Sequence, residues 1–419
     1  MQQRRFVVLS IFTVIVTLAF IILTQEDDFA IIISEKGLLR QNESIPHFFH
    51  NEEDVKYEFL AYKKKPGWHF VKYPCNYQCN VSGVEVTVNY STNPSDITGK
   101  DVVLFRTGPF ELHEWEELQY YRTPGQIWIF VTQEPASIVP RLLPPKIYRH
   151  TTYNWSFTFH STSDIYGAYG WYTPFSTKTT SSKLIRNWYQ EKSEFAAWIS
   201  SRHCEGLGWD RTRFVLDLRK HVPIDMYGKC GNLSLSRNDS MAEKVIQKYK
   251  FHLSLENSCC SEYLSEKFWN ALQNWKSVPI VIGGTKEEYV RLAPPNSFIH
   301  ADDFPSIEAL ARHLHTVATN EKVFNSYFEW HQKGTVDQLS FRFRHPVFKE
   351  GACKVVEKLQ QLHTKYSEYT FDPYSTSWFG SCYKCGEHHW IQRYNFLWKR
   401  TIFQDDWQDN RTLYLLDGK

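Results

Sequence analysis

Residues Lys248 to Trp275 read KYKFHLSLENSCCSEYLSEKFWNALQNW, and the spacing of their apolar residues changes part-way along. Phe251, Leu253 and Leu255 alternate with polar residues, as a strand lying on a core requires. Leu264, Phe268, Ala271, Leu272 and Trp275 then recur at helical spacing. Between them, Glu256 to Glu262 is polar and irregular, a turn from strand to helix. The turn delivers Tyr263, Glu266 and Lys267 to the helix opening, where free N–H groups and the positive end of the macrodipole favour an anion such as phosphate. Tyr263 and Lys267 stand four residues apart and share a helical face, so a ring and an ammonium can address one ligand, while Glu266 points about a quarter turn away. An ordinary strand, loop and helix with a solvated first turn fits the same pattern, because Glu near a helix N-terminus is common.

Working outward, VPIVIGG at Val278 to Gly284 is a short apolar run ending in glycines, suited to a buried parallel strand. Upstream, EFAAWISSRHCEGLGWDRTRFVLDLRKHVPIDMYGKCGN predicts a strand over Phe195 to Ser200, a helix over Arg211 to Lys220 and a strand ending in Tyr227 and Gly228. Arg211 opens that helix, where a guanidinium can fork onto a diphosphate or simply face solvent. Earlier still, Val84 to Val88 alternates, Asp101 to Phe105 and Gln126 to Thr132 are short apolar runs, and Trp115 to Tyr121 suits a helix between them. Strand, helix and strand in short succession predict open parallel sheets. The run Gln126 to Thr132 leads to Glu134, just past the carboxyl end of a buried strand, the edge at which open α/β sheets hold ligands. A carboxylate there suits a general base, and equally a loop residue before Pro135. Asp302 and Asp303 offer two carboxylates to a metal, but they also read as a turn and helix cap ahead of Ser306.

The 419 residues carry a net charge of +2, too small to argue for nucleic acid or a polyanionic partner. Aromatic residues make up 16 % of the chain, which hints at sugar-stacking surfaces although most of these rings must be core. Phe6 to Leu23 is nearly continuous in apolar character, follows Arg4 and Arg5 and precedes Glu26, Asp27 and Asp28. It predicts a signal anchor with residues 1–5 cytoplasmic and the body luminal. A cleaved signal peptide is the rival reading, against which stand the length of the run and the lack of a small-x-small site. A span at the short end suits a thin, early secretory membrane. Residues 24–70 are polar and read as a stem, with folding expected to begin near Lys72, and Thr173 to Ser182 reads as an interdomain linker.

Nine Cys in a luminal chain imply disulfides with one thiol left over. Glycosylation acceptors at Asn42, Asn80, Asn89, Asn154, Asn232, Asn238 and Asn410 agree with that compartment, Asn154 lying in a motif suited to burial without modification. Cys75 and Cys79 together with Cys382 and Cys385 of SCYKC allow a four-thiolate zinc site; an oxidising lumen favours disulfides.

The opening stretch resembles the α1,3-fucosyltransferase family, whose signature is roughly YKF, four residues, ENS, three residues, DY, two residues, EK. Here it stands as YKFHLSLENS followed by CCSEYLSEK, with Glu262 in the Asp position and His252 where many members have Tyr. YNWSFTFHSTSDIYGAYGW at Tyr153 to Trp171 resembles a second family motif, matching at Asn154, Trp155, Thr158, Ser163, Asp164, Ile165, Tyr169 and Gly170 and departing at Phe159, His160 and Thr162, where His160 replaces an Arg. The GQIWIFVTQEP segment resembles the place where the family keeps its proposed base, with Pro135 in place of a frequent Ser. PPNSFIHADDFPSIEALARHL and YFEWH resemble the family closely as well. The resemblance implies a GT-B fold, two Rossmann-like domains facing a cleft: an acceptor-side domain over 71–175, a GDP-fucose domain over 183–345, and a segment over 346–419 that packs back on the first. It implies Glu134 as the catalytic base, Arg211 and Lys267 on the donor phosphates with the helix N-terminus assisting, and Asn257, Tyr263 and Glu266 as contacts to the fucose or ribose. It also implies disulfides Cys75 with Cys382, Cys79 with Cys385, and Cys204 with Cys230, the last as in the invertebrate and core-type branch; Cys259 or Cys260 is left to join Cys353.

The expected function is therefore inverting transfer of fucose from GDP-β-L-fucose to N-acetylglucosamine of a glycoprotein glycan, either the N-glycan core or a Lewis-type N-acetyllactosamine, by a single-pass Golgi membrane protein. No metal is required by that scheme, although Mn²⁺ stimulation is compatible with it, as is a homodimer. Two alternatives stay open: an inactive membrane-tethered glycan-binding protein of the same fold, and a GT-B transferase for another nucleotide sugar.

Overall fold

The computed structural model describes residues 56–63, 73–79, 83–106, 112–138, 143–176, 186–200, 204, 208–236, 239–338, 346–362, 371–375 and 377–396. The expected anchor at Phe6 to Leu23 and most of the expected stem lie outside them. Among the described residues no helix is long and apolar enough to cross a membrane.

Two sheets carry the fold. The first contains β1 (Lys56–Tyr62), β2 (Cys75–Gln78), β3 (Glu85–Ser91), β4 (Val102–Phe105), β5 (Ile127–Val131), β6 (Trp155–Thr158) and β7 (Ile165–Tyr166), in the order β2-β3-β1-β4-β5-β6-β7. Every pairing is parallel except β2 with β3. VVLF and IWIFV are apolar almost throughout because both faces are covered, as parallel sheets require. One face packs Leu60, Val103, Phe105, Trp128 and Phe130 against Trp115 and Leu118 of helix α1 (Leu112–Tyr121). The second sheet is all parallel, with β9 (Glu194–Ile199), β10 (Ile224–Tyr227), β11 (Tyr249–Leu255), β13 (Val278–Ile282) and β14 (Ile299–His300) in the order β10-β9-β11-β13-β14. Helices α2 (Arg211–Leu218), α3 (Asp239–Ile246), α4 (Glu266–Asn270), α5 (Lys286–Leu292), α6 (Ile307–Thr319) and α7 (Glu321–Ser326) follow its strands. A wide π-type turn over Ala271–Trp275 prolongs α4.

The body starts earlier than the stem reading allows. β1 lies in the middle of the first sheet, with Phe59 beside Val102 and Val88. Its sequence, KYEFLAY, escapes a polar-linker reading only through partners elsewhere: Glu58 accepts from the Asn89 amide at 2.8 Å and pairs with Lys100 at 3.3 Å. The linker also starts later, since Thr173 and Pro174 belong to β8 (Gly170–Pro174), which pairs antiparallel with β15 (Gly334–Gln338).

The stretch after residue 345 serves both sheets rather than the first alone. In α8 (Pro346–Leu362), Ala352, Val355 and Val356 cover the outer face of the first sheet. Cys385, Ile391 and Tyr394, around α9 (His389–Gln392), join the core of the second. The disulfides follow that division and overturn the expected pairings of Cys75 with Cys382, of Cys79 with Cys385, and of Cys259 or Cys260 with Cys353. Cys79 is bonded to Cys353 on α8, Cys259 to Cys385, and Cys260 to Cys382; Cys204 and Cys230 are bonded to each other. Cys75 is a buried thiol beside Tyr77. The four-thiolate zinc arrangement fails for the same reason, and among the described residues no cluster of His, Cys, Asp or Glu is built to hold a metal.

The acceptor asparagines differ in environment. Asn232 is exposed; the Asn89 amide is committed to Glu58; Asn154 Oδ1 accepts from Arg122 at 2.6 Å and from the Trp128 amide at 2.9 Å. Asn42, Asn80, Asn238 and Asn410 lie outside the described residues.

Peptide mapping without reduction should recover Cys79 linked to Cys353, and Cys259–Cys260 linked to Cys382–Cys385. Cys353→Ser, which frees a loop spanning 274 residues, should lower unfolding free energy by about 2–5 kcal/mol in a denaturant titration.

Candidate functional site

The carboxyl edges of the two sheets meet, and the residues singled out in the sequence gather there. Beyond β5 the chain turns at Thr132, whose Oγ1 accepts from the Glu134 amide at 3.0 Å, and this turn leaves the Glu134 carboxylate exposed. From the other half, the Tyr263 hydroxyl donates to Glu134 Oε2 at 3.4 Å. Tyr263 is buried, its ring 4.9 Å from that of Phe159, and burial followed by the field of Tyr169 and Glu134 raises its pKa well above the usual phenol value. A neutral hydroxyl is therefore what faces the carboxylate.

The stretch from β11 to α4 departs from its sequence reading in one informative way. The opening of α4 is already occupied by an anion of the chain itself. Glu256, 0 % exposed, accepts from the Ser265 amide at 2.8 Å and from Ser265 Oγ at 2.6 Å, and Lys267 Nζ stands 3.5 Å away. Ser265 in turn caps the helix through the Lys267 amide. A five-residue helix so capped offers no free N–H cradle for phosphate. Tyr263 precedes the helix, so it and Lys267 do not form a helical pair.

Lys267 Nζ also lies 2.9 Å from Ser265 Oγ and 3.0 Å from Glu266 Oε1, while 23 % of its side chain stays accessible. Burial pulls this ammonium's pKa down, but Glu266 and Glu256 outweigh it and hold it above the ordinary lysine value. Burial likewise opposes ionisation of both carboxylates. For Glu266 the Lys267 charge wins and its pKa falls; for Glu256 burial wins and its pKa rises.

Arg211, the first residue of α2, is 5 % exposed and donates from Nη1 to the Leu255 carbonyl at 3.2 Å. Its Nε is buried with no hydrogen-bond partner among the described residues, and so is Asn257 Oδ1. Burial lowers the pKa of Arg211, with Glu256, Tyr263 and Glu266 opposing. Buried polar atoms left unpaired are costly, and these two, at one strand edge, are groups that a polar ligand could satisfy.

Sequence reasoning missed Glu256 and Arg106. Glu256 belongs to the ENS motif but looks like a loop residue until Ser265 folds back on it. Arg106 follows β4 much as Glu134 follows β5; protein packs closely round its guanidinium, which feels burial first and then Tyr169, Tyr73 and Glu134. Its position just past an apolar strand was the available signal. His252, by contrast, belongs to the core. Its Nδ1 lies 3.0 Å from Ser254 Oγ, which donates to the Lys267 carbonyl at 3.0 Å, its ring packs on Trp275, and burial ahead of Lys267 lowers its pKa to about 3. Asp302 and Asp303 lie in the expected turn, Ala301–Asp303, but the cap of α6 is Ser306; Asp302 accepts from the Glu387 amide and Asp303 pairs with Lys286.

With this geometry in view, the chain matches two family models, "Fucosyltransferase, N-terminal" over residues 49–170 and "Glycosyltransferase family 10 (fucosyltransferase) C-term" over 189–371. The chain belongs to glycosyltransferase family 10, the fucosyltransferases. The N-terminal model's range includes β1, in keeping with the early start of the fold. Among curated relatives, a 4-galactosyl-N-acetylglucosaminide 3-alpha-L-fucosyltransferase of Gorilla gorilla gorilla is 33 % identical over 263 residues, 62 % of this chain and 65 % of the relative. A glycoprotein 3-alpha-L-fucosyltransferase A of Drosophila melanogaster is 36 % identical over 184 residues, 43 % of this chain and 36 % of the relative. The matches thus span less than two-thirds of these relatives. A crystal structure of an alpha1,3-fucosyltransferase with GDP-fucose aligns over 77 % of this chain and 95 % of its own at 13 % identity, with a TM-score of 0.47.

The buried neutral His252 sets a pH expectation. Its folded-state pKa is depressed, so between the ordinary value of 6.5 and about 3 the unfolded chain binds the extra proton and stability falls as pH falls. Denaturant titrations from pH 6.5 to 4.5 should show the parent losing up to about 1.4 kcal/mol per pH unit more than His252→Gln.

Proposed function

We propose that this chain transfers L-fucose from GDP-β-L-fucose, with inversion and in α1,3 linkage, to an N-acetylglucosamine of a glycoprotein glycan. The observation that carries the reading is the meeting of Glu134, from the first sheet, with Tyr263, from the loop of the second that also carries Asn257 and leads to Lys267. In this reading the two sheets are the halves of a GT-B enzyme, the acceptor lies against the first and the sugar nucleotide against the second.

Glu134 is exposed where an acceptor hydroxyl would arrive. It removes that proton as the oxygen attacks the anomeric carbon from the face opposite the diphosphate, a role worth about 10² to 10⁴ in rate. One displacement inverts the centre. Arg211 offers its unpaired Nε, and Lys267 an ammonium held charged by Glu266 and Glu256, to the negative charge that grows on the leaving diphosphate. Fixed charges of this kind need no reorganisation during the reaction. Because the opening of α4 is filled by Glu256, this stabilisation comes from the two side chains rather than from a helix dipole. Asn257, through its buried Oδ1, and Glu266, 40 % exposed, are assigned to hydroxyls of the fucose or ribose. Two cations already address the diphosphate, so the scheme needs no metal, and Mn²⁺ acts at most as a stimulant.

The relatives' names support N-acetylglucosamine as the acceptor sugar and a glycoprotein as its carrier. The apolar run Phe6 to Leu23, with Arg4 and Arg5 before it, supports a luminal body anchored in the Golgi membrane. A glycan array incubated with GDP-fucose and the soluble body, followed by linkage analysis, separates core from N-acetyllactosamine acceptors.

Glu134→Gln should retain GDP-fucose binding and lose turnover by about 10²-fold or more; transfer at the parent rate would remove Glu134 from the base role. Lys267→Ala should weaken GDP-fucose binding about tenfold or more by calorimetry, and an unchanged affinity would take it off the phosphates.

A further inference from the structure

Glu262 sits one residue before Tyr263 with φ at +58°, in the left-handed region that a glutamate enters only where its surroundings compel it. The surroundings are unusually complete. One carboxylate oxygen accepts from the Ser161 amide at 2.6 Å; the other accepts from Ser161 Oγ at 2.8 Å and from Arg291 of α5. His160 Nδ1 lies 3.9 Å away, and the ring of Tyr166 is close enough to feel both Glu262 and Arg291. Ser161 and His160 belong to the turn between β6 and β7 in the first half, whereas Glu262 and Arg291 belong to the second. Burial works against the Glu262 charge, but the hydrogen bonds from Ser161 and Arg291 outweigh it and lower its pKa, so the carboxylate stays ionised.

We propose that Glu262, gripped by Ser161 and Arg291, is a positioning residue that sets the register between the two halves and thereby the approach of Tyr263 to Glu134. The inference rests on the reading of Glu134 as base but concerns a different group. Three observations support it. The Glu262 backbone conformation aims the next side chain, and that side chain is the one that reaches Glu134. The ring of Tyr263 packs on Phe159, two residues before Ser161, so clamp and contact share the same pair of loops. Finally, the donor side has its own buried carboxylate: Glu256 holds Ser265 and Lys267 without using Glu262. Two acids in one loop thus have separate tasks, Glu256 fixing the phosphate-facing lysine and Glu262 aligning the halves. The sequence departures at Glu262 and His160 meet in space, so they are parts of one junction.

Separate tasks give separable kinetics. Loss of the clamp leaves Arg211 and Lys267 in place, so donor affinity holds while the geometry of attack loosens; misplacement by about 1 Å costs about 10²-fold. Glu262→Asn suits the test because Asn tolerates the left-handed conformation and cannot reproduce the bidentate grip. It should lower kcat about 10- to 100-fold with the calorimetric Kd for GDP-fucose within about twofold of parent. Hydrogen exchange in the peptide containing Ser161 should speed up, a direct reading of the lost amide bond. Arg291→Ala, at a side chain 52 % exposed, should fold normally and lower kcat only about two- to fivefold, and the double variant should be no slower than Glu262→Asn alone. Parental kcat in Glu262→Asn, or a loss explained wholly by weaker donor binding, overturns the proposal. If Glu262→Asn fails to fold, parental kcat in Arg291→Ala does the same. Glu134→Gln measured alongside keeps the two readings apart: its activity tests the base, and the exchange rate at Ser161 tests the clamp.

Discussion

A carboxylate with no access to solvent, Glu256, is what the second sheet's half of the site is built on. Burying a charge is expensive unless donors replace the water it loses, and here Ser265 supplies an amide and a hydroxyl while Lys267 supplies an ammonium. Room for it exists because Gly283, just past β13, has no Cβ; one placed there would stand 2.8 Å from the Glu256 Cγ. From this one group follow the start of α4 and the direction of Lys267, whose charge Glu266 and Glu256 maintain together. Beneath, His252 donates to Ser254 and Ser254 to the Lys267 carbonyl, so the same lysine is fixed through its main chain as well.

The acids of the site divide by environment. Glu256 is sealed and counterbalanced, Glu266 is half-open against Lys267, Glu262 is clamped between the halves, and Glu134 alone is exposed with only a weak bond from Tyr263. An acid that must take a proton from an incoming hydroxyl needs a lone pair that the protein has not already filled. By that criterion Glu134 is, of these four, the acid suited to the base role proposed above. The cations divide similarly: Arg291 serves the junction, while Arg211 keeps an unpaired Nε at the strand edge.

Much of this was legible in the sequence, for reasons that can be named. Strands buried on both faces are apolar throughout, which exposed β4, β5 and β13, and the residue just past such a strand falls at the ligand edge, which located Glu134. The shift of period inside Lys248 to Trp275 located the loop of the site. β1 was hidden because Glu58 and Lys56 make its alternation resemble a polar linker; its partners Asn89 and Lys100 lie some 30 to 40 residues away. Glu256 was hidden because a carboxylate's burial depends on what folds over it. The disulfides were hidden because connectivity is a distance property: Cys79 meets Cys353 only when α8 crosses the back of the first sheet, and the vicinal Cys259 and Cys260 meet Cys385 and Cys382 only when a two-residue strand, β12 (Cys259–Cys260), pairs with β16 (Cys382–Tyr383).

That last pairing bears on how a loop can carry chemistry. The segment from Asn257 to Tyr263 connects a rigid strand to a short helix, and segments of this kind are ordinarily the mobile part of a fold. Positioning for attack tolerates an error of only about 0.5 Å. Hydrogen bonds reach the loop at separate points: the Asn257 carbonyl from the Gly208 amide, Ser258 from Ser137, Ser261 to the Ser381 carbonyl, Glu262 from Ser161 and Arg291, and Tyr263 to Glu134. Two adjacent covalent bonds at Cys259 and Cys260 remove most of that freedom before any ligand arrives, so the ordering cost is met during folding rather than on binding. Reducing conditions would leave the same sheets and the same side chains but a less constrained loop, so these two disulfides are a condition of the site and not only of stability.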